Sequence, residues 1–260
     1  MVTVVDNDDV CIKLADAYLT NGVRTPDGRM IGDYIVQNTV EKLQFYKKIF
    51  GVEKPDKMYF EMYSDIEEWR DYYRSVFKSE PPAYSRGTFE SKKSLSTSVQ
   101  HPRAVYGTSM WYKTVCTNAH EAFHMFYKKY CYGEDRIVWF DEGLAQFFSG
   151  DSEDKIKDED SFILFFSHFL ADYKPINNLN ERIQGNSSVS DDLIFYREGV
   201  FNGYSASFLI IWYLYETKGM DYIIELMKDN KRIRKLGEYV LEEAVEYYKD
   251  RYSMRSRENQ

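Results

Sequence analysis

Two histidines four positions apart, with a glutamate directly after the first, constrain this chain more than any other feature. The segment His120–His124 reads H-E-A-F-H. On a helix this spacing puts both imidazoles on one face, one turn apart, where they can bind a single metal ion. Glu121 then lies beside the position of a metal-bound water. Alternatively, the two histidines are core side chains that donate to backbone carbonyls. The surrounding apolar periodicity predicts a helix that ends at Gly133.

Glu142 is the predicted third ligand, because catalytic zinc sites commonly use three protein ligands and one water. It lies near the start of the next predicted helix, Val138–Phe148. Gly143 has no side chain and would let two helices approach closely around an ion. The simpler alternative is a first-turn glutamate that interacts favourably with the helix dipole. A metzincin site is excluded, since Tyr127 and Tyr130 occupy the positions of its glycine and third histidine.

From about residue 30 to residue 230 the sequence resembles the gluzincins, and especially the relatives of aminopeptidase N. These zinc peptidases carry two histidines on one helix and a ligand glutamate on the next. Their second motif, Trp-x-x-Glu-Gly-x-Ala, is matched by Trp139, Glu142, Gly143 and Ala145. The interval from His124 to Glu142 is one residue shorter than is usual in that branch. The resemblance implies a thermolysin-like zincin fold, a Zn²⁺ ion bound by the two histidines and Glu142, and a peptide or protein substrate.

Three further expectations come from the same resemblance. Tyr204–Phe208 is similar to a Tyr-x-x-x-Phe segment whose tyrosine stabilises the oxyanion, so Tyr204 is predicted to have this role. In the relatives an edge strand binds extended substrate, and by analogy residues 95–106 would do so here. The Gly-x-Met-Glu-Asn signature for a free amino terminus does not appear upstream of the histidines. Endopeptidase activity is therefore predicted.

Zinc chemistry gives the predicted mechanism. The ion lowers the pKa of its water toward ~7 and polarises the scissile carbonyl. Glu121 acts as general base and later passes the proton to the leaving amine. Gln146 and Asn118 are candidates to hydrogen-bond the ligand imidazoles, or they are ordinary polar residues. Two other functions stay open: a non-catalytic peptide-binding or scaffold protein that retains a zincin fold, and a hydrolase of non-peptide amides or esters.

The order of helical and alternating segments predicts an α+β fold. A small mixed sheet with flanking helices is expected in residues 1–110, a helical half in 111–252 and a frayed tail in 253–260, together one catalytic domain. His168, among phenylalanines, is interpreted as a packing residue of a helix. Residues 174–199 are predicted to form a long polar loop. The predicted strands are 57–63, 87–91 and 95–99, and the predicted helices are 33–50, one from 65 up to Pro81, 109–133, 138–148, 204–218, 220–228 and 236–248.

Charge and cysteine content argue against several other classes. The formal net charge of −8 would repel the phosphates of a nucleic acid, so no nucleic-acid partner is predicted. The longest apolar runs, such as Phe208–Tyr215, are shorter than the ~20 residues of a membrane span. Three distant cysteines cannot form a closed disulfide framework, which favours a reducing compartment. The N-terminus does not read as a secretory signal, so the cytoplasm is expected unless a signal has been removed. The oligomeric state is not predicted.

Overall fold

The chain is a mixed α+β protein, as predicted, in which the strands precede most of the helices. The computed structural model describes residues 1–20, 25–81, 85–90, 93–133, 135–173, 179 and 203–258. The predicted loop at 174–199 lies almost wholly outside the described residues. No helix in the described part is long and apolar enough to cross a membrane.

A five-stranded sheet is built from the described residues before position 100. Its order is β1-β2-β3-β5-β4, with β2, β3 and β5 parallel and the two outer strands antiparallel to their neighbours. Ile12 pairs with Phe60, which pairs with Ser96, so these three side chains share one buried face. The predicted β4–β5 hairpin is confirmed, whereas β1 and β2 were not predicted. The strands are β1 Val2–Asp6, β2 Val10–Leu14, β3 Met58–Tyr63, β4 Gly87–Glu90 and β5 Leu95–Val99.

Three helices accompany the sheet: α1 Ile31–Phe50, α2 Ile66–Phe77 and α3 Ser109–Tyr127. Helix α1 ends at Gly51, as predicted, because this residue adopts the left-handed conformation that glycine tolerates. The Asp65 side chain caps α2 by accepting two backbone N–H groups of its first turn. This helix ends at Lys78, also left-handed, before the prolines that were expected to stop it.

The described residues after α3 are mainly helical, and a π-helical turn follows α3 directly. The helix predicted over 236–248 is confirmed from Val240 onward, but its predicted start is wrong, because the chain turns at Gly237–Tyr239 between two helices. The last helix continues to Glu258, so it includes most of the 253–260 tail that was predicted to be frayed. His168 is exposed on its helix, so it does not pack as expected. These elements are the π turn Lys128–Tyr132, α4 Val138–Ser149, α5 Glu159–Asp172, α6 Gly203–Lys218, α7 Met220–Leu226, α8 Asn230–Leu236 and α9 Val240–Glu258.

By its internal contacts the chain divides into two compact units. The first comprises Met1–Phe126 and Phe148–Asp154, and the second comprises Tyr127–Phe147 and Lys155–Gln260. The first unit has its core under the sheet and around the aromatic side chains of α1 and α3. In the second unit α6 contacts α7 and α9. The α9 stripe predicted as core is buried there, at Leu241, Ala244, Val245 and Tyr248. That the whole chain forms one catalytic domain stays a prediction.

Candidate metal centre

Helix α3 presents both histidines on its partly exposed face. The ring centroids of His120 and His124 are 4.8 Å apart. Phe123 of the same helix is buried and packs against Tyr46 of α1 with ring centroids 5.5 Å apart. The Tyr46 hydroxyl also donates to the carbonyl of Ala119 at 3.1 Å. Contacts with α1 therefore hold helix α3 in position. Neither imidazole is a fully buried core side chain.

The three predicted ligands come together in the structure. His120, His124 and Glu142 each offer one ligand atom, and these atoms all lie within 4.8 Å of one another. Two imidazoles and a carboxylate are a ligand set that divalent cations such as zinc bind, so the chemistry of these three side chains fits a metal centre.

Asp151 orients the first histidine. Its Oδ2 lies 2.9 Å from Nδ1 of His120, and its other oxygen accepts from the Ser152 hydroxyl at 3.0 Å. A carboxylate can only accept, so Nδ1 carries a proton, and in the neutral imidazole Nε2 is then the atom that can bind a metal. Asp151 was not predicted, because His120 and Asp151 are 31 positions apart in the sequence and no helical spacing relates them.

Arg136 holds the third predicted ligand. Its Nη2 donates to Oε1 of Glu142 at 2.6 Å, and its Nε donates to Oδ2 of Asp141 at 2.5 Å. Both carboxylates are almost fully buried, so they need such a partner. Burial lowers the pKa of Arg136, but the charges of Asp141 and Glu142 outweigh it and the net shift is well upward. This guanidinium, also missed from the sequence, is permanently charged.

Glu121, the predicted base, lies near β4, which is an edge strand among the described strands. Its side chain is partly exposed, and no residue in the described ranges hydrogen-bonds its carboxylate. A Cβ built on Gly87 of β4 would lie 3.7 Å from Oε1 of Glu121. The carboxylate is therefore partly exposed and close to a strand position that has no side chain.

Helix α4 is packed tightly against the helix that carries Tyr204. A Cβ on Gly143 would lie 2.6 Å from the carbonyl oxygen of Ser207, which confirms that this glycine permits a close helix approach. Gln146 donates through Nε2 to the carbonyl of Tyr204 at 3.0 Å and to that of Glu142 at 3.3 Å. The backbone of Tyr204 is thereby tied to the helix of Glu142, while the predicted role of its hydroxyl stays a prediction.

The surroundings of the two polar residues predicted to orient the imidazoles differ. The Gln146 amide donates to the main-chain carbonyls of Glu142 and Tyr204. Asn118 is 1% exposed, and its Nδ2 has no hydrogen-bond partner among the described residues. Asp151 hydrogen-bonds His120, while the roles of Gln146 and Asn118 at the imidazoles stay predictions.

The predicted substrate strand is not an edge strand. Leu95–Val99 pairs with β3 on one side and with β4 on the other, so its backbone groups are already used within the sheet. Among the described strands, β1 and β4 form the edges. The expectation for residues 95–106 is therefore wrong at β5, and the edge beside Glu121 is β4.

No protein-family model matches the chain, and no curated protein matches it either. The functional assignment therefore depends on the residues and distances described above.

Proposed function

We propose that this chain is a zinc-dependent peptide-bond hydrolase of the gluzincin type, acting as an endopeptidase on a thermolysin-like fold. The observation that carries the proposal is the mutual approach of the ligand atoms of His120, His124 and Glu142 to within 4.8 Å. Two imidazoles and a carboxylate are the ligand set of several catalytic zinc sites, which leave a further position for water. The adjacent Glu121 supplies a base, which a purely structural zinc site does not need.

Each of these residues has a distinct task in the proposed reaction. A bound zinc ion would supply an acidified water and polarise the substrate carbonyl. Glu121 accepts a proton from the attacking water and returns it to the leaving nitrogen. Tyr204 donates a hydrogen bond to the developing oxyanion. Asp151 keeps His120 in the tautomer whose Nε2 can bind the ion, which follows from their 2.9 Å contact.

The position of β4 at an edge of the sheet, among the described strands, supports a polypeptide substrate. An extended peptide can add to an unpaired strand edge through main-chain hydrogen bonds. Such a peptide would run beside Gly87, whose side-chain position is 3.7 Å from Oε1 of Glu121. The base would then face the substrate backbone, an arrangement that suits peptide bonds better than small isolated amides or esters.

The test combines a metal assay with hydrolysis. We expect one zinc per chain after dialysis and cleavage of casein or a peptide library by the wild-type protein. Glu121→Gln should keep the zinc and lose ~10²–10⁴-fold in kcat, because the proton acceptor is removed while the ligands remain. N-terminal mapping of cuts in a proteome digest, with Glu121→Gln as control, would define the cleavage specificity.

Two results would contradict this function in different ways. Full hydrolysis by Glu121→Gln would remove Glu121 from the mechanism. A wild-type protein that binds zinc and peptides but cleaves nothing would favour the non-catalytic binding protein. Cleavage of esters or non-peptide amides alone would favour the other enzymatic alternative.

A further inference from the structure

We propose that Arg136 is a positioning residue that restricts Glu142 to offering one carboxylate oxygen to the metal ion. The inference rests on the proposed function, since it concerns the same three-ligand centre. The observation behind it is the 2.6 Å hydrogen bond from Nη2 of Arg136 to Oε1 of Glu142. An oxygen held this way is engaged by a charged donor, so a second bond from the same carboxylate to the ion is disfavoured.

The guanidinium is itself fixed by a second carboxylate. Nε of Arg136 donates to Oδ2 of Asp141 at 2.5 Å, and the Asp141 side chain is 0% exposed. The Tyr132 hydroxyl, on the π-helical turn, lies 3.4 Å from the same Oδ2. Asp141 cannot move toward solvent without losing these contacts, so it anchors the guanidinium plane. Consequently the direction of the Arg136–Glu142 bond is set by the surrounding fold.

Both N–H donors of Arg136, Nε and Nη2, are needed to fix Asp141 and Glu142 in these directions. Arginine presents several N–H groups in a rigid plane, whereas a lysine ammonium is a compact point charge on a flexible stem. A lysine at position 136 would neutralise the buried carboxylates but would not bind Asp141 and Glu142 in fixed directions. The proposal therefore separates the geometry of Arg136 from its charge.

Restricting Glu142 matters because hydrolysis needs an open coordination position. Catalytic zinc sites keep three protein ligands and leave a position for water or substrate. A glutamate that bound through both oxygens would add a fourth bond from the protein beside the water, which raises the coordination number to five and crowds the open position. Residues that orient metal ligands typically change metal affinity or activity by ~10–100-fold when they are mutated.

Cobalt substitution of the full-length chain tests the inference without relying on activity alone. Four-coordinate Co²⁺ absorbs visible light more strongly than five- or six-coordinate Co²⁺. We expect the wild-type Co²⁺ protein to show the strong spectrum and Arg136→Gln to show a weaker one. The kcat of the zinc-loaded Arg136→Gln protein should fall about 10–100-fold. Its zinc dissociation constant should change by less than about tenfold, because loss of orientation is offset by loss of a nearby positive charge.

Arg251→Gln is the matched control. Arg251 also pairs with a glutamate, Glu216, at 3.1 Å, and its side chain is 36% exposed against 35% for Arg136. It makes no contact with Glu142, so the cobalt spectrum and kcat should stay at wild-type values. Arg136→Lys is the second test variant: it should restore the folded stability but not the wild-type spectrum.

The outcomes distinguish this inference from the function on which it rests. A wild-type protein that takes up neither zinc nor cobalt overturns both. If the wild type binds metal and hydrolyses peptide while Arg136→Gln keeps the wild-type spectrum and kcat, only the inference is overturned. Recovery of both by Arg136→Lys would also overturn it, since charge alone would then suffice. Should Arg136→Gln fail to fold, Arg136→Lys decides by the same two readouts.

Discussion

His120 and Glu142, two of the proposed ligands, are each held by an ionic partner, but the two arrangements differ. His120 is held by the carboxylate of Asp151, and the side chains of both residues are about one-seventh exposed. Glu142 is almost fully buried and is held by Arg136, which serves Asp141 as well. An anionic partner makes a neutral imidazole a stronger ligand. A cationic partner instead fixes the direction of an anionic ligand and leaves less of its charge for the ion.

The difference implies that the two partners control different properties of the centre. Loss of Asp151 should weaken metal binding, because the imidazole becomes less basic and less well oriented. Loss of Arg136 should change how many oxygens Glu142 offers while affinity changes less. Variants that change metal affinity, coordination number or kcat separately therefore test whether Asp151 and Arg136 differ in this way.

After Glu121→Gln, the largest effect is expected at Tyr204, whose hydroxyl is proposed to act on the substrate. Tyr204→Phe should lower kcat by ~10²–10³-fold, because it removes one donor to the oxyanion. Zinc affinity and KM should stay near wild type, since the hydroxyl acts on the transition state. Steady-state kinetics with a fluorogenic peptide and a zinc competition assay measure both quantities. An unchanged kcat would exclude Tyr204 from the mechanism.

Asp151→Asn should weaken zinc binding by ~10–100-fold, because Nδ1–H of His120 then donates to a neutral amide. Competition with a zinc chelator measures the dissociation constant. Glu153→Gln is the control, since it removes the same charge two positions away and makes no hydrogen bond to His120 in the described structure. Equal zinc affinities for the two variants would show that the contact between Asp151 and His120 does not contribute to zinc binding.

Gly143→Ala tests the packing that places Glu142. The new Cβ would lie 2.6 Å from the Ser207 carbonyl and 2.7 Å from Cγ1 of Ile211, so α4 and α6 must separate. Overpacking of this kind should lower the free energy of unfolding by about 1–3 kcal/mol, measured by urea denaturation. Gly87→Ala is the matched control, because its closest contact would be an ordinary 3.5 Å. The prediction fails if both alanine variants unfold at the same urea concentration.

The smallest effect is a loss of stability at alkaline pH. Burial, followed by the charge of Glu61, raises the pKa of both Tyr63 and Tyr72 to about 12. Because these folded-state values exceed the ordinary value of 10.0, the neutral phenols favour folding below pH 10. That contribution is lost as the pH rises from about 10 to about 12. The double Phe variant should lose less stability across this window, as followed by denaturation at several pH values. A parallel loss in both proteins would contradict the assignment.

The three proposed ligands could be named from the sequence because local rules relate them. Helical periodicity alone places His120 and His124 on one face, and a short motif identifies Glu142 on the next helix. Asp151 and Arg136 follow no such rule. Asp151 reaches His120 across 31 positions, and Arg136 lies in a non-helical segment before α4. Their contacts arise from tertiary folding, which single-chain periodicity does not encode.

The sheet could also be predicted only where its contacts are local in sequence. The β4–β5 hairpin is local and was predicted, but the edge was assigned to the wrong strand because β5 pairs with β3 across a long connection. The β1–β2 hairpin was missed although a signal exists. Asn7 lies between two short apolar runs, and its Oδ1 accepts from the backbone N–H groups of Asp9 and Val10. Five-residue strands are short enough for such a signal to be overlooked.

X-ray absorption at the zinc edge tests directly whether His120, His124 and Glu142 bind the ion. With one equivalent of zinc added to the full-length chain, we expect two imidazoles and one carboxylate oxygen at ~2.0–2.2 Å, with a water completing the shell. In Glu142→Gln the carboxylate contribution should disappear while both imidazoles remain. Fewer than two imidazoles in the wild-type protein, or a sulfur ligand at ~2.3 Å, would contradict the proposed centre.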